Sequence, residues 1–552
     1  MDEYKEIIKY YHERTKHKPN KFARSPGYLD WSNEPKPFRR YIGTEKINLP
    51  LSNPEDSPTF YKSLFQLEDI EPLPFDIHSI SKLLLFSLGI SAWKEYRGTR
   101  WALRCNPSAG NLHPTEAYII APPNLLGNEK TTLYHYAPFD HCLEIRATDS
   151  SNNWGKVYKQ NPTNNFLILG LTTITWRMAW KYGERALRYC LLDTGHAISA
   201  ITYSARAMGW KTSALISIPW EYQKTILGLN RPEFDNVEKE TPQILLLIYP
   251  HNSQFEKHHS INSSIPLLDT WFGKPEKLSP QKVEWEMINY AINAMENSSA
   301  EFLNRLNKVN NDIIGAGRRS DYTKSDVLTS PQSYVLFRQR RSAHELDPEV
   351  TLPIQKLQNL LQNLKFVKTN VIEKVLNVNL PTFLVIFANS LENIRPGIYL
   401  FPFYGSLVSR TAEKNLSSIK ISKEIDIFLL KEGDFKTFTS HLLCGQDVGE
   451  NSAILFGLFA DIQNILQVYG DFSYVVLHWE AGFIVHHLYL EAEILNLQGT
   501  GIGCFFDDEY IVEIPQPKGK AKLYPIYYYA LGKPIPDLRL KSYPPYLNKG
   551  NT

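Results

Sequence analysis

Apolar runs and helical spacings alternate along the first half of the chain, and together they predict a mixed α+β fold. Short, continuous apolar runs bounded by polar residues are typical of buried strands, whereas apolar residues three and four positions apart are typical of helices. The runs predict strands at 117–121, 133–136, 166–171 and 244–249. Helical spacing predicts helices at 77–88 and 176–189, and a long apolar helix from about Gly195 to Gly209.

The pattern partly repeats after residue 330. The tripeptides at 182–184 and 193–195 correspond to those at 469–471 and 480–482, each 287 positions later. A second apolar helix is predicted at 482–497, and Pro114, Thr115 and Ala121 match Pro381, Thr382 and Ala388 at a spacing of 267. We interpret the repeat as a divergent duplication, since matching periodic context at a common offset is typical of repeated units.

These patterns predict five regions. A basic, Pro-rich and aromatic arm covers residues 1–74, and a first domain covers 75–255. A polar connector with one docked helix at 283–295 covers 256–330, because this region is rich in Asn, Ser and Gly, as linkers are. A second domain covers 331–542 and a short tail covers 543–552.

Composition narrows the class of protein. A net charge of +2 over 552 residues predicts no nucleic-acid or membrane partner. The five scattered cysteines include no CxxC and favour a reduced, cytoplasmic protein over a disulfide framework. No apolar run approaches the ~18 residues that span a bilayer, and the start of the chain lacks the apolar core of a signal peptide. The histidine pairs at 258–259 and 486–487 lack metal-ligand spacing, so we expect no metal.

The segment at 106–116, directly before the first strand, carries the clearest chemical pattern. Gly110 and Asn111 tolerate positive φ and Pro107 restrains the entry, so a tight turn is expected. Such a turn would present N–H groups and the Ser108 hydroxyl to a flat ligand with polar edges. The alternative is an ordinary connection between a loop and a strand.

The run from Pro107 to Glu116 resembles the flavin-contacting turn of the nitroreductase fold. More closely, it resembles that turn in SagB-type dehydrogenases, the FMN enzymes that oxidise azolines to azoles in ribosomal peptides. The resemblance implies that FMN is the cofactor. The implied contacts in the first domain are Pro107, Ser108, Ala109, Gly110, Asn111 and His113.

The second domain opens with Arg340, Arg341, Ser342 and His344, which resemble the nitroreductase signature that holds the FMN phosphate and ribityl chain. Guanidinium groups suit a phosphate because they are permanently charged and bidentate. His344 stands where the family usually has Lys or Arg, and a solvated basic helix start is the alternative. Gly499, Thr500, Gly501, Ile502 and Gly503 resemble the segment along the isoalloxazine edge, and Arg539 resembles a phosphate-binding residue of the closing strand.

Each domain lacks what the other retains. Residues 374–378 replace the turn in the second domain, residues 212–216 replace the glycine segment in the first, and Arg39–Arg40 lack the following serine. Nitroreductases are intertwined homodimers whose flavins contact both subunits. The resemblance therefore implies two nitroreductase-type domains fused into an intramolecular pseudodimer, with one composite FMN site per chain.

Lys181 and Tyr182 are the catalytic candidates, because they resemble the Lys-Tyr motif of SagB-type dehydrogenases. An adjacent ammonium is expected to lower the pKa of Tyr182 and to let it act as a base or proton relay. By family geometry, the pair should meet the turn at one flavin; the alternative is a dipeptide on a helix surface. Asp193 and His196 are a second candidate relay, although Asp193 is also a candidate N-cap.

The leading hypothesis is an FMN-dependent oxidoreductase of SagB type that dehydrogenates an azoline-like heterocycle in a modified peptide. Its expected partners are a peptide or small-molecule substrate and a cyclodehydratase complex, and the pseudodimer is a monomer or assembles further. One alternative is an NAD(P)H-dependent nitro, quinone or flavin reductase. Another is a flavin-less scaffold or peptide-binding protein.

Overall fold

The computed structural model describes residues 6–160, 165–253, 265–309, 327–404, 418–422, 425–514 and 522–546. The pair His258–His259, part of the predicted connector and most of the tail lie outside these residues. The helices in this part of the chain are α1 (Ile7–Arg14), α2 (Ile77–Ser87), α3 (Gly155–Gln160), α4 (Thr175–Tyr182), α5 (Ala186–Ala207), α6 (Trp220–Leu227), α7 (Glu286–Val309), α8 (Ser333–Gln339), α9 (Ile354–Val367), α10 (Glu373–Leu376), α11 (Lys436–Leu442), α12 (Ile462–Tyr469) and α13 (Phe472–Ile494). No helix among the described residues is long and apolar enough to cross a membrane.

The strands form two large sheets and two small ones. The first-half strands are β1 (Tyr41–Ile42), β2 (Lys46–Asn48), β3 (Ile90–Tyr96), β4 (Thr99–Arg104), β5 (Thr115–Ala121), β6 (Thr132–Ala137), β7 (Cys142–Thr148), β8 (Leu167–Thr173), β9 (Trp210–Ala214), β10 (Thr241–Pro250), β11 (Thr270–Trp271) and β12 (Lys274–Pro275). The second-half strands are β13 (Thr382–Ala388), β14 (Gly397–Pro402), β15 (Ser418–Lys420), β16 (Asp426–Glu432), β17 (Ile454–Ala460), β18 (Gln498–Ile502), β19 (Tyr524–Gly532) and β20 (Lys541–Tyr543).

The two large sheets share one strand order. The first runs β11-β7-β6-β5-β8-β10-β9, and the second runs β15-β16-β14-β13-β17-β19-β18. Every strand pair in them is antiparallel. The predicted offsets recur in the structure, since β13 begins and ends 267 residues after β5, and both α12 and β17 lie 287 residues after α4 and β8. The repeat is therefore a repeat of topology as well as of sequence.

The long helices α5 and α13 pack against each other where two glycines meet. A β carbon on Gly195 would lie 2.2 Å from the Trp479 carbonyl oxygen, and one on Gly482 would lie 2.1 Å from that of Leu192. Only glycine permits this approach of two backbones. The predicted starts of both helices were wrong, because α5 begins at Ala186 and α13 at Phe472. Glycine is tolerated inside a helix where close packing requires it, and here it marks the crossing rather than the start.

The hydrophobic core is continuous across the two halves. The largest cluster joins residues of both sheets and of both long helices, for example Leu169, Ile198, Ile386 and Val485. Each sheet carries a smaller, separate cluster, which includes Phe234 in the first half and Phe459 in the second. The halves therefore share one apolar interior, with an additional core in each.

The arm and the connector pack onto this body. In the arm, β2 pairs with β7 at the edge of the first sheet, and α1 contacts α7 of the connector. Helix α7 is longer than predicted, because it continues from Glu286 to Val309. Strand β20, near the end of the chain, pairs with β3 of the first half. This pairing brings the C-terminal segment back to the turn-bearing half.

Candidate functional site

The predicted turn is present, directly before the fully buried strand β5. Gly110 and Asn111 have φ angles of 63° and 59°, as expected, and His113 also has a positive φ of 47°. The Asn111 amide nitrogen donates to the Ala102 carbonyl oxygen at 2.9 Å, and His113 Nε2 donates to Asn111 Oδ1 at 2.9 Å. These bonds hold the turn against β4 and leave the buried His113 Nδ1 without a hydrogen-bond partner among the described residues.

Asp193 holds the turn from the interior of α5. Its Oδ2 accepts a hydrogen bond from Ser108 Oγ at 2.5 Å, and its Oδ1 accepts one from the Ala109 N–H at 3.1 Å. Burial raises the pKa of this carboxyl to about 7. The N-cap interpretation of Asp193 was wrong, because α5 begins seven residues earlier. The Ser108 hydroxyl and the Ala109 N–H, expected to face a ligand, bind Asp193 instead.

Lys181 and Tyr182 lie against the tip of the turn. A β carbon on Gly110 would lie 2.5 Å from Tyr182 Oη and 3.2 Å from Lys181 Nζ. The Tyr182 ring packs on Tyr189, with 4.5 Å between ring centroids. The turn and the Lys-Tyr pair, 71 positions apart in sequence, thus meet in space.

The expected activation of Tyr182 by a lowered pKa was wrong. Burial is the largest cause that raises the pKa of Tyr182 above its ordinary value, and the negative charges of Tyr189 and Asp193 raise it further. An adjacent ammonium lowers a phenol pKa only when it outweighs desolvation. Tyr182 is therefore a neutral hydroxyl group near neutral pH, suited to donate a hydrogen bond.

In the second half, the arginine signature lies beside the glycine segment. Ser342 forms a β-bridge with Gly499, and the Ala343 N–H donates to the Gly499 carbonyl oxygen at 3.0 Å. Tyr489 of α13 joins them, since its hydroxyl accepts from the Gly501 N–H at 2.7 Å and lies 3.0 Å from Ser342 Oγ. The expectation that Gly499–Gly503 follow the helix as a loop was wrong, because residues 498–502 form the edge strand β18, with Thr500 opposite Ala530 and Ile502 opposite Tyr528.

Arg340 connects the two halves. Its Nε donates to the Cys105 carbonyl oxygen at 2.9 Å, two residues before Pro107, and its guanidinium lies 5.2 Å from the Tyr489 ring centroid. Arg340 is 4% exposed, and its Nη1 has no hydrogen-bond partner among the described residues. The signature of the second half therefore reaches the turn of the first.

Arg341 adds positive charge that no side-chain carboxylate neutralises within the described structure. Its Nη1 donates to the Arg338 and Arg340 carbonyl oxygens at 2.8 and 2.7 Å and lies 3.4 Å from Ser91 Oγ. Burial lowers the pKa of Arg341 to about 10, and repulsion by Arg340 contributes. Burial, together with Arg341, also lowers the pKa of Lys94 in β3. A half-buried group of cations of this kind favours an anion.

The two remaining candidates are more exposed. His344 lies on the surface near Asp537, whose pKa it helps to lower. Arg539 forms two 2.8 Å hydrogen bonds to the Asp537 carboxylate and lies 5.9 Å from the Tyr96 ring centroid. Its charge is therefore already paired. The sequence reasoning missed Lys94 and Tyr489, although basic spacing in β3 was a signal for the first.

Residues 98–237 match the sequence model of the Nitroreductase family. This segment contains the turn, Asp193 and the Lys181–Tyr182 pair. The nitroreductase match thus covers the half that carries the catalytic candidates.

Solved structures extend the likeness to the whole fold. An inferred nitroreductase from Anabaena variabilis is 22% identical, with a TM-score of 0.68 over 96% of this chain and 99% of that one. An inferred nitroreductase from Ralstonia eutropha is 18% identical, with a TM-score of 0.27 over 42% of this chain and 98% of that one. The E. coli microcin synthetase McbBCD complex with truncated pro-MccB17 bound is 20% identical, with a TM-score of 0.26 over 46% of this chain and 95% of that one. No curated protein sequence matches the chain significantly.

Proposed function

We propose that this protein is an FMN-dependent oxidoreductase whose single flavin site is shared between its halves. The observation that carries the proposal is the contact of Arg340 with the backbone beside Pro107. It places the cationic signature of the second half next to the turn, which in turn contacts Tyr182. Phosphate-binding, flavin-edge and catalytic candidates thereby converge on one region.

The residues in this region fit FMN. Arg340 and Arg341 carry positive charge without carboxylate partners in the described structure, which suits a phosphate dianion. The unpartnered nitrogens of Arg340, His113 and His196 are buried polar atoms of the kind that a bound ligand satisfies. Arg340, Arg341, Ser342 and Lys94 would hold the phosphate and ribityl end. The turn at 107–111 and the segment at 499–503 would face the ring.

Internal ion pairs support one FMN per chain. Glu480, which stands 287 residues after Asp193, binds Lys368 Nζ at 3.0 Å and Thr382 Oγ1 at 2.6 Å. Arg39, the first-half counterpart of the arginine signature, lies 3.3 Å from carboxylate oxygens of both Glu238 and Glu240. These charges are already neutralised, so the duplicate location lacks free cations and a turn.

The pseudodimer interpretation rests on topology. The halves have equal strand order, share one core and cross at Gly195 and Gly482. We propose that they descend from two subunits of a homodimer, bounded approximately as predicted at 75–255 and 331–542. The arm and connector then hold the fused subunits together.

We propose that the substrate is an azoline-like heterocycle in a modified peptide. FMN supplies a hydride acceptor when bound. The neutral Tyr182 hydroxyl donates a hydrogen bond to the ring heteroatom and orients the substrate over the turn. Lys181 Nζ, on the more exposed side of the pair, exchanges the proton released from the substrate carbon with solvent. A cyclodehydratase complex is the class of partner that would supply the azoline.

The test begins with the flavin content of the purified full-length chain. We expect flavin absorbance, one FMN per chain released by heating, and loss of two hydrogens from a thiazoline-containing peptide. A ratio near two contradicts the single composite site, and absence of flavin favours a scaffold. Rapid NADPH oxidation with quinone or nitroarene acceptors, without peptide dehydrogenation, favours a reductase.

A further inference from the structure

Two cysteines and a histidine from distant parts of the chain meet beside the glycine segment. Cys504 directly follows Gly503, whose carbonyl oxygen accepts from Arg185 Nε and Nη2 at 3.1 and 2.9 Å. The Phe506 N–H donates to the Leu442 carbonyl oxygen at 2.9 Å, which places the turn after α11 against this segment. Cys444 lies in that turn. Both cysteines are half-buried and neither is in a disulfide.

The Cys504 side chain is in hydrogen-bonding contact with both Cys444 and His17. His17 Nδ1 accepts a hydrogen bond from the Ala23 N–H at 3.0 Å, so the neutral ring carries its proton on Nε2. That N–H is then available to donate to sulfur. The tautomer of His17 is thus held in the form that stabilises a thiolate.

The charges around Cys504 act in the same direction. The hydrogen bond from Cys444 is the largest cause that lowers the pKa of Cys504, to about 5, with help from His17 and Arg185 and against the opposing effect of burial. The nearby carboxylate of Asp507 is itself paired with Arg185 and Arg188, at 2.7 and 2.6 Å. The environment therefore favours negative charge on sulfur.

We propose that Cys504 and Cys444 form a reactive dithiol, with Cys504 as the nucleophile and Cys444 as the resolving thiol. The Cys504 thiolate attacks a low-molecular-weight disulfide, forms a mixed disulfide and releases one thiolate. The Cys444 sulfur, after losing its proton, attacks the Cys504 sulfur and releases the second thiolate. The protein gives up two electrons and two protons, and the small disulfide is reduced to two thiols.

The remaining cysteines cannot compete for this chemistry. Cys105, Cys142 and Cys190 are 3%, 1% and 0% exposed. Burial also raises the pKa of Cys105 to about 11 and that of Cys190 well above its ordinary value. They serve as internal controls for any labelling experiment.

The dithiol lies close to the proposed catalytic pair. A β carbon on Gly503 would lie 2.4 Å from the Tyr189 ring, which packs on Tyr182, and a negative charge on Cys504 raises the pKa of Tyr182. Oxidation would remove this charge. The thiol chemistry itself does not depend on FMN, so it can be tested whether or not the proposed function holds.

The first test is the pH dependence of iodoacetamide alkylation in the full-length protein, followed by peptide mass mapping. An ordinary thiol has a pKa of about 8.5, so its alkylation rate rises up to that pH. We expect the rate at Cys504 to level off above pH ~6, and the three buried cysteines to stay unlabelled. A rate at Cys504 that still rises up to pH ~8.5 would overturn the assignment of the nucleophile.

The second test is oxidation by glutathione disulfide. We expect a peptide linked through Cys444 and Cys504 in the native protein. In Cys444→Ser, where a hydroxyl still donates to Cys504, we expect a stable mixed disulfide on Cys504, and Cys142→Ala should behave as the native protein does. Failure to form the linked peptide overturns the proposal, as does an unmodified Cys504 in Cys444→Ser.

Discussion

The Ser108 hydroxyl donates a hydrogen bond to Asp193, with 2.5 Å between Ser108 Oγ and Asp193 Oδ2. This bond joins the turn to the interior of α5, the helix that crosses its counterpart in the second half. The geometry of the turn is therefore tied to the packing of the two halves.

Asp193 should make stability fall as pH rises. Its pKa is about 7 in the folded protein against 3.8 as the ordinary value, so the folded state holds the proton more tightly. The free energy of unfolding should decline between these two pH values by a few kcal/mol, at about 1.4 kcal/mol per pKa unit. Chemical denaturation of the native protein and of Asp193→Asn across this range measures the effect.

Glu491 provides a matched control for this prediction. Burial raises its pKa to about 7 as well, but it binds Tyr61 and Asn363 far from the turn in sequence. Glu491→Gln should reduce the pH dependence similarly and leave FMN binding unchanged, whereas Asp193→Asn should weaken FMN binding. Equal FMN affinity in both variants would contradict the positioning role of Asp193.

Tyr182→Phe and Lys181→Ala should lose turnover without losing FMN. A positioned proton-transfer group contributes about 10²–10⁴-fold in rate, and the ring of Tyr182 stays packed on Tyr189. The double variant should be little worse than the poorer single variant, because residues acting as a unit are non-additive. Peptide dehydrogenation and flavin absorbance are measured together, with Tyr158→Phe as the control. Full activity in Tyr182→Phe would instead favour the small-molecule reductase.

Gly110→Ala should disturb the site through the Tyr182 hydroxyl. The new β carbon would lie 2.5 Å from Tyr182 Oη, in addition to the strain of a φ of 63°. Gly127→Ala is the control, since Gly127 has a φ of 82° and open space around its β carbon. Strain alone costs about 1 kcal/mol. Unfolding measurements should show a larger loss for Gly110→Ala than for Gly127→Ala.

The excess loss should shrink when Gly110→Ala is combined with Tyr182→Phe, which removes the clashing oxygen. A double-mutant cycle measures this coupling directly. Additive losses would show that the hydroxyl does not limit the space at Gly110.

Arg341→Ala should weaken FMN binding by roughly 1.5–3 kcal/mol, the usual contribution of hydrogen bonds to charged groups. Asn111→Ala, in the other half, should weaken the same flavin by less. Equilibrium titration with FMN measures both, and the exposed Arg395→Ala, whose partner is Glu432, is the control. If only one of the two variants alters occupancy, the site is not composite.

Much of the fold could be predicted from local pattern. The strand before residue 121, the turn at Gly110 and Asn111, and the repeat offsets depend on residue type and spacing, which the chain carries locally. The helix starts could not be predicted, because Gly195 and Gly482 read as boundaries until their contact across the helix crossing is known. The same holds for Gly499 and Gly501, whose strand conformation depends on pairing with β19.

The sequence by itself determined which groups the site contains: the turn, the Lys181–Tyr182 pair, the arginines and the glycine segment. Only the tertiary structure decided what each group does. Burial sets Tyr182 as a neutral donor, Asp193 takes the Ser108 hydroxyl, and Asp537 pairs with Arg539 while Arg340 keeps a free nitrogen among the described residues. The physical reason is that pKa and hydrogen-bond availability depend on desolvation and on neighbours from distant parts of the chain.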